Sequence, residues 1–351
     1  MIKFNQEKPH SLSNLCIVGG CGSSGTTLLA HIVSKHKKIG SGPEFNCFNH
    51  HELYDFDSFK KELANLQGGK AKPSGYVDVP VFMTFQEHYG ITHELIHEWI
   101  SQSSSSTEFI CSLRDHLLDH FKCEIFFDKS PTNAYCLNTA GKVLSDVKLV
   151  HMVRDGRDVV CSLMKRGWNL FGAGSRWLYD TVHGLEARNC PNYMELRYEK
   201  FVSEPDNVLN ELFSYLNVSK TEYDLFESNK KAPGLYHEEW TNRSEPKAWN
   251  QTPSDPISTK SIGTYKEKLS KRDLNYLNKI KLKRSVDINP ETPRTFGELL
   301  EYLEFPRSVE QDRNAESNKI TITPYKVSDY LRRVRRFHNR NYWHLPQIFT
   351  Y

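Results

Sequence analysis

The sequence has no apolar run long enough to cross a membrane, which takes about 20 residues. Its first residues also lack the apolar stretch of a secretory signal peptide. We therefore expect a cytoplasmic protein, or a protein of the Golgi lumen if an N-terminal membrane anchor has been removed.

A strong charge of either sign is missing too. Lys and Arg number 46 against 43 Asp and Glu, and the resulting net charge of +3 is too small to predict a nucleic-acid partner. The eight cysteines include no CxxC pair and no zinc-ligand spacing, so they do not predict a zinc site. With 38% hydrophobic residues the chain can bury a core, which excludes a disordered protein.

Short apolar runs alternate with helical patterns along the chain. The runs are Leu15–Gly20, Glu124–Phe127, Val147–Val153 and Tyr193–Tyr198. The helical patterns are Thr26–His36, Asn133–Leu144, Arg157–Lys165 and Asn207–Leu216. Continuous apolar runs are typical of parallel strands that are covered on both faces. The alternation predicts an α/β fold of three layers, with a central, mostly parallel sheet between helices.

The first apolar run leads into a glycine-rich loop, Gly20-Cys21-Gly22-Ser23-Ser24-Gly25-Thr26-Thr27. Glycines allow a tight turn that directs several N–H groups at one anion, and a helix that begins at Thr26 adds its positive end. The spacing is that of a Walker A loop, except that Thr26 stands where the lysine should be. The loop therefore predicts an anion site, and the missing lysine argues against an ATPase or a GTPase.

Two further segments follow strands at the same edge of the predicted sheet. Asp128-Lys129-Ser130-Pro131 closes the second apolar run, and Arg154 follows the third. Ligands of open α/β folds bind at the carboxyl ends of the strands. Arg154 and Ser162, two helical turns apart, can therefore converge on one phosphate.

These segments resemble motifs of the sulfotransferase family, whose members use 3′-phosphoadenosine-5′-phosphosulfate (PAPS) as the sulfuryl donor. Ser24–Leu28 resembles the 5′-phosphosulfate loop, and Asp128–Pro131 resembles the DK-[ST]-P signature. Arg197–Phe201 is similar to the RYEDL segment, and Ser261–Lys266 is similar to the S-x-G-x-W-K segment. The motifs occur in the family's order across about 13–270, and they are most similar to the tyrosylprotein branch and the glycan and bacterial branches.

The resemblance implies a role for each matching residue. Glu44, in Gly42-Pro43-Glu44, falls on the general base, and Lys129 falls on the catalytic lysine that stabilises the leaving phosphate. Arg154 and Ser162 match the residues that bind the 3′-phosphate, and Arg166 matches a third cofactor-binding arginine. The remaining donor-site candidates are Gly22, Ser23, Ser24, Gly25, Thr26, Thr27, Tyr198 and Lys260.

Two positions depart from the family pattern. Ser23 stands where family members usually carry Lys or Arg, and Asn46 stands where the tyrosylprotein branch carries an acceptor-site Arg. The first departure removes a positive charge from the loop, so Lys129 has to supply more of the charge at the leaving phosphate. The second departure argues against the assignment of a tyrosylprotein acceptor.

The domain organisation follows from the same resemblance. We expect one sulfotransferase domain over 1–351, with a core over about 13–270 and a long polar insert on the acceptor side over about 45–122. A helical or irregular extension fills about 271–351, and it includes the basic segment Tyr330–Phe337.

The expected reaction is in-line displacement of the sulfuryl group onto a hydroxyl, with 3′-phosphoadenosine-5′-phosphate (PAP) as the product and no metal ion. The sequence allows three classes of acceptor, which are a glycan, a tyrosyl peptide and a small phenol. It also allows the protein to form a homodimer. Six aromatic residues suit a sugar or a tyrosyl peptide equally, and they are Tyr76, Phe82, Phe85, Trp99, Trp168 and Trp177.

Two other functions fit parts of the sequence. A phosphate-loop protein that binds PAP without catalysis would carry the same loop. His93-Glu94-Leu95-Ile96-His97 fits the H-E-x-x-H pattern of zinc proteases, although no third ligand is indicated by its spacing. The same segment also fits an amphipathic helix on the acceptor side.

Overall fold

The computed structural model describes residues 11–49, 51–64, 89–220, 257–284, 286–306 and 349–350. The basic segment Tyr330–Phe337 and the aromatic residues Tyr76, Phe82 and Phe85 lie outside these ranges. Within them, no helix combines the length and the hydrophobicity that crossing a membrane requires.

A parallel sheet of five strands forms the centre of the fold. The strands are β1 (Leu15–Gly20), β2 (Ile39–Gly40), β3 (Ile125–Lys129), β4 (Lys148–Val153) and β5 (Tyr193–Arg197). Their order is β2-β3-β1-β4-β5, and each neighbouring pair is parallel. The short strands β6 (Lys281–Leu282) and β7 (Phe349–Thr350) pair antiparallel. The predicted α/β class is confirmed.

Helices connect the strands and extend beyond them. They are α1 (Thr26–Val33), α2 (Phe56–Ala64), α3 (His93–Gln102), α4 (Ser106–Phe121), α5 (Leu137–Val143), α6 (Gly156–Lys165), α7 (Leu170–Leu185), α8 (Tyr198–Ser203), α9 (Pro205–Tyr215), α10 (Tyr265–Lys268), α11 (Lys271–Lys279) and α12 (Phe296–Tyr302). Short 3₁₀ turns lie at His51–Tyr54, Pro131–Tyr135, Glu186–Asn189 and Thr259–Ser261.

The two faces of the sheet pack against different helices, because successive side chains of a strand point to opposite faces. Val18 and Val150 belong to a buried cluster with residues of α1, α8 and α9. Ile17 and Leu149 belong to a second cluster on the other face, with residues of α4 and α5. The strands are therefore covered on both sides, as their continuous apolar sequences predict.

The serine-rich run in the predicted polar insert is a junction between two helices. Ser103 closes α3, and its Oγ donates to the carbonyl of Trp99 at 2.7 Å. Ser105 caps α4 by accepting a hydrogen bond from the N–H of Glu108. The helix α4 has apolar residues buried against the sheet, among them Phe109 and Leu117. This stretch thus contributes to the core, which the sequence analysis did not predict.

Candidate active site

The candidate site lies where the chain changes direction across the sheet. β1 lies between β3 and β4, so the connections after β1 go first to one side of it and then to the other. Ligands of open α/β folds bind at such a switch point, beside the carboxyl ends of the strands. Those ends lead into the glycine loop after β1, Lys129 on β3 and Arg154 after β4.

The loop after β1 has the backbone conformation that an anion site needs. Gly25, the N-cap of α1, has a φ of 97°, in the left-handed region that favours glycine. A side chain at Gly25 would also meet the ring of Tyr198. Helix α1 begins at Thr26 as predicted, and Thr26 and Ser24 are buried beside the helix N-terminus.

Arg154 joins three parts of the predicted site. Its Nη1 donates to the carbonyl of Ser23 in the loop at 2.8 Å, and its Nη2 donates to the carbonyl of Ser261 at 2.6 Å. The guanidinium lies over the ring of Tyr198, 4.2 Å from its centre. Lys260, the neighbour of Ser261, has an exposed side chain.

Three buried polar atoms around Arg154 have no hydrogen-bond partner among the described residues. They are Oγ of Ser23, Nε of Arg154 and Oε2 of Glu199. Buried polar groups are nearly always hydrogen-bonded in native proteins. A hydroxyl and a guanidinium N–H are both suited to phosphate oxygens, so the residues present fit a phosphorylated ligand.

The segment after the 3₁₀ turn Thr259–Ser261 is fixed by a residue that the sequence analysis missed. The buried carboxylate of Asp158 accepts hydrogen bonds from the N–H of Gly263 at 2.7 Å and the N–H of Tyr265 at 2.9 Å. It also accepts from the hydroxyl of Thr264 at 2.9 Å. Asp158 therefore ties this segment to α6, next to Arg154.

The other predicted residues of α6 follow Arg154 along the helix. Ser162 lies in its second turn and is half-buried, and Arg166 is the C-cap residue. Burial raises the pKa of the Cys21 thiol well above its usual value, Asp180 raises it further, and Arg176 and Arg166 oppose this rise.

The two predicted catalytic residues form an ion pair. Nζ of Lys129 lies 3.6 Å from Oε1 of Glu44. The Lys129 side chain is 5% exposed and that of Glu44 is 50% exposed, so a buried cation meets a carboxylate that solvent can reach.

A hydrogen-bonded turn connects the two segments that carry this ion pair. Asp128 accepts from Oγ of Ser130 at 3.0 Å and from Nδ2 of Asn133 at 2.7 Å. Oγ of Ser130 in turn accepts from the N–H of Asn46, two residues after Glu44. Burial raises the pKa of Asp128 to about 6, although both of its hydrogen bonds and the charge of Lys129 act to lower it.

A second arginine, absent from the predicted site, lies at the glycine loop. A Cβ atom at Gly22 would lie 2.9 Å from Nη2 of Arg176 on α7. Nε of Arg176 donates to Asp180 one helical turn later, at 3.2 Å. A basic and an acidic residue at i and i+4 are a recognisable signal on a helix, but the sequence analysis predicted no helix here.

Two of the aromatic residues predicted to suit an acceptor, Trp177 and Trp99, are buried. Trp177 is fully buried, and its Nε1 donates to the carbonyl of Arg154 at 3.1 Å. Trp99 packs edge-on against Phe109 in the core. The interpretation of Trp177 and Trp99 as acceptor-binding residues is therefore wrong, because both are part of the protein interior.

The H-E-x-x-H segment forms the helix α3, as the amphipathic interpretation predicts. Its second histidine, His97, is exposed. In the part of the chain that the structure describes, no three or more His, Cys, Asp or Glu side chains are grouped so that they could hold a metal ion.

The fold and the site together define an α/β protein whose glycine loop and neighbouring strand ends fit a phosphorylated ligand. The model of the sulfotransferase family matches residues 16–222, more than half of the chain, and the protein belongs to this family of transferases. No curated protein matches the sequence.

Solved sulfotransferase structures are similar to this chain at low sequence identity. The sulfotransferase domain of the Synechococcus PCC 7002 olefin synthase is 18% identical, with a TM-score of 0.43 over 72% of this chain and 96% of that domain. The sulfotransferase domain of the curacin biosynthetic pathway is also 18% identical, with a TM-score of 0.46 over 84% of this chain and 99% of that domain. Sulfotransferase STF9 from Mycobacterium avium is 14% identical, with a TM-score of 0.36 over 60% of this chain and 65% of its own.

Proposed function

We propose that this protein transfers a sulfuryl group from PAPS to a hydroxyl acceptor. The observation that carries the proposal is the ion pair of Lys129 and Glu44, 3.6 Å apart, at the sheet edge that holds the phosphate loop. A displacement at sulfur needs a cation for the leaving oxygen and a base for the incoming hydroxyl. Both oxygens flank one sulfur atom, so the two groups have to lie at the same end of the donor, and Lys129 and Glu44 lie together at one edge of the sheet.

The donor would lie across the carboxyl ends of β1 and β4. The 5′-end fits the loop of Gly22–Thr27, where backbone N–H groups and the start of α1 favour an anion. The 3′-phosphate fits Arg154, whose Nε has no partner among the described residues, together with Ser162 and Arg166. Tyr198 packs against both Gly25 and Arg154, so it would connect the two ends of the site.

The residues of this chain divide the chemistry between them. The acceptor oxygen attacks sulfur in line with the bridging oxygen, the bond from sulfur to that oxygen breaks, and PAP leaves with the electron pair. Glu44 takes the proton of the acceptor hydroxyl. Lys129 stabilises the charge that develops on the leaving phosphate, which is the main catalytic need of such a transfer.

The acceptor is a glycan, a tyrosyl peptide or a small phenol. The half-exposed position of Glu44 supports an acceptor that approaches from solvent.

The test is transfer of labelled sulfate from PAPS to a panel of glycans, tyrosyl peptides and phenols. Wild-type protein should transfer the label to one class of acceptor. The turnover of Glu44→Gln should fall by about 10²–10⁴-fold, while its affinity for PAP stays the same. Glu98→Gln, an exposed position on α3, is the matched control and should be unaffected. PAP binding with no transfer to any acceptor would instead support a binding protein without catalysis, and an unchanged rate for Glu44→Gln would exclude Glu44 as the base.

A further inference from the structure

The glycine loop contains no positive charge of its own. Between Leu15 and Ser34 the sequence has neither Lys nor Arg, and the first residue of either type after the loop is Lys35, beyond the end of α1. Backbone N–H groups and hydroxyls can bind an anion, but charge-assisted hydrogen bonds to phosphate are roughly twice as strong as neutral ones. A cation at this loop must come from another part of the chain.

Arg176 on α7 provides a cation at this position. The atom of its side chain that lies nearest to a Cβ position at Gly22 is Nη2, at 2.9 Å, followed by Cζ at 3.3 Å and Nη1 at 3.7 Å. The side chain is 14% exposed, so its charge acts in a partly desolvated environment, where electrostatic interactions are stronger than in water.

Asp180 and Trp168 fix the orientation of this guanidinium. Nε donates to the buried carboxylate of Asp180, and the indole of Trp168 lies 5.1 Å from the guanidinium carbon. Asp180 is held in turn by the hydroxyl of Tyr135, at 2.6 Å. The edge of the guanidinium that bears Nε therefore faces Asp180, while Nη2 is the atom of the side chain nearest to the loop.

We propose that Arg176 binds the 5′-phosphosulfate end of the donor and supplies the positive charge that the loop lacks. The inference rests on the proposed function, because it assigns the 5′-end of PAPS to this loop. Arg is suited to the role, since its planar fork can hold a carboxylate on one edge and phosphate or sulfate oxygens on another. Asp180, Trp168 and Tyr135 are positioning residues that act through Arg176.

The experiment compares ligands that differ at the two ends of the donor. PAP, adenosine-5′-phosphosulfate and adenosine 3′-phosphate are titrated calorimetrically into wild-type protein and into Arg176→Gln. We expect the variant to bind PAP and adenosine-5′-phosphosulfate roughly 10–100-fold more weakly, as the loss of one or two charge-assisted hydrogen bonds predicts. Its affinity for adenosine 3′-phosphate, which lacks the 5′-group, should stay within about twofold of wild type.

A matched control is available in Arg188, which has the same kinds of neighbours at the opposite end of the sheet. It pairs with Glu195 at 2.8 Å, lies over the ring of Tyr302, and precedes the amino end of β5. Arg188→Gln should leave all three affinities unchanged. If Arg176→Gln does not fold, Arg176→Lys and Arg176→Met replace it as a pair of variants. Arg176→Lys keeps the positive charge, so it should bind PAP more tightly than Arg176→Met does.

The outcomes separate this inference from the proposed function. Unchanged PAP affinity in Arg176→Gln, with tight binding by wild type, would overturn the inference alone. Equal losses for all three ligands would also overturn it, because Arg176 would then support the fold and not the 5′-end. Failure of wild-type protein to bind PAP would overturn the proposed function, and the inference with it.

Discussion

Arg154 holds together residues that are far apart in the sequence. Its two terminal nitrogens bind the carbonyls of Ser23 and Ser261, and its planar face lies on Tyr198. In the proposed site a residue with these contacts would have two functions, since it would bind the 3′-phosphate and also fix the loop proposed to bind the donor's other end. Its substitution should therefore affect both ends of the donor, although unequally.

Arg154→Ala should weaken the binding of PAP by about 10–100-fold or more, because the 3′-phosphate loses its contact with the guanidinium. Binding of adenosine-5′-phosphosulfate, which lacks the 3′-phosphate, should fall by a smaller factor, because the carbonyl of Ser23 loses its donor. Calorimetric titration of both ligands measures the ratio. Equal factors for the two ligands would show that Arg154 does not bind the 3′-phosphate.

Lys129 is buried with its amino group toward Glu44, so its charge is directed at the reacting atoms in the proposed site. Lys129→Met keeps the apolar stem and removes the charge. The single-turnover rate of sulfuryl transfer should fall by a larger factor than the affinity for PAPS, because leaving-group charge develops only in the transition state. Rapid-quench measurement under saturating enzyme tests this, and an unchanged rate would exclude a role of Lys129 in the chemical step.

The sequence predicted those site residues that lie beside the end of a strand. The glycine loop, Lys129 and Arg154 each follow directly from an apolar run, so the general rule for parallel sheets was enough to bring them together. The contact of Arg176 with Gly22 joins α7 to a loop that lies far before it in the chain, and no local pattern encodes it. Asp158 was missed for the same reason, because its partners lie about a hundred residues later.

At the scale of elements, helix α7 shows why local patterns were insufficient. Its sequence includes Gly172, Gly174 and Gly184, and glycine disfavours a helix interior by about 1 kcal/mol relative to alanine. The structure accounts for two of them. A Cβ at Gly174 would lie 2.7 Å from Leu277, and one at Gly184 would meet the ring of His151. The residues that weaken the helix signal are therefore the ones that let α7 pack closely against its neighbours.

The turn that follows β3 contains a buried carboxyl whose protonation affects stability. The pKa of Asp128 is raised to about 6 from a usual value of 3.8, mainly by burial. The folded protein binds this proton more tightly than the unfolded chain does. The contribution of Asp128 to the free energy of unfolding is therefore largest below about pH 4. It is lost as the pH rises through about 6, and the loss amounts to roughly 3 kcal/mol.

Asp128→Asn should remove this dependence. The amide can accept from Asn133 and donate to Ser130, so the turn keeps its hydrogen bonds. We expect the free energy of unfolding of the variant, relative to wild type, to increase between pH 4 and pH 7. Denaturant titrations at several pH values measure the difference, and a constant difference over this range would contradict the assignment.

At the scale of the whole molecule, the proposed donor site lies between the two halves of the sheet. A ligand that binds only the folded state stabilises it by mass action, by about 2.7 kcal/mol at a concentration 100 times its Kd. PAP should therefore raise the melting temperature by a few degrees at saturation. ATP should raise it much less, because it lacks a 3′-phosphate for Arg154 and the loop has no Walker lysine. Equal shifts for the two nucleotides, measured by calorimetric melting, would argue for a general nucleotide site.

The central place of β1 also determines when this site can form during protein synthesis. Both partners of β1 in the sheet are made later, since β3 and β4 follow it by about 100 and 130 residues. At roughly 5–20 residues per second, the ribosome needs on the order of ten seconds to supply them. During that interval the apolar strand and its loop have neither neighbour, so β1 cannot yet be buried in the sheet. The loop of the proposed anion site is translated early, and the strands that complete this site are translated late.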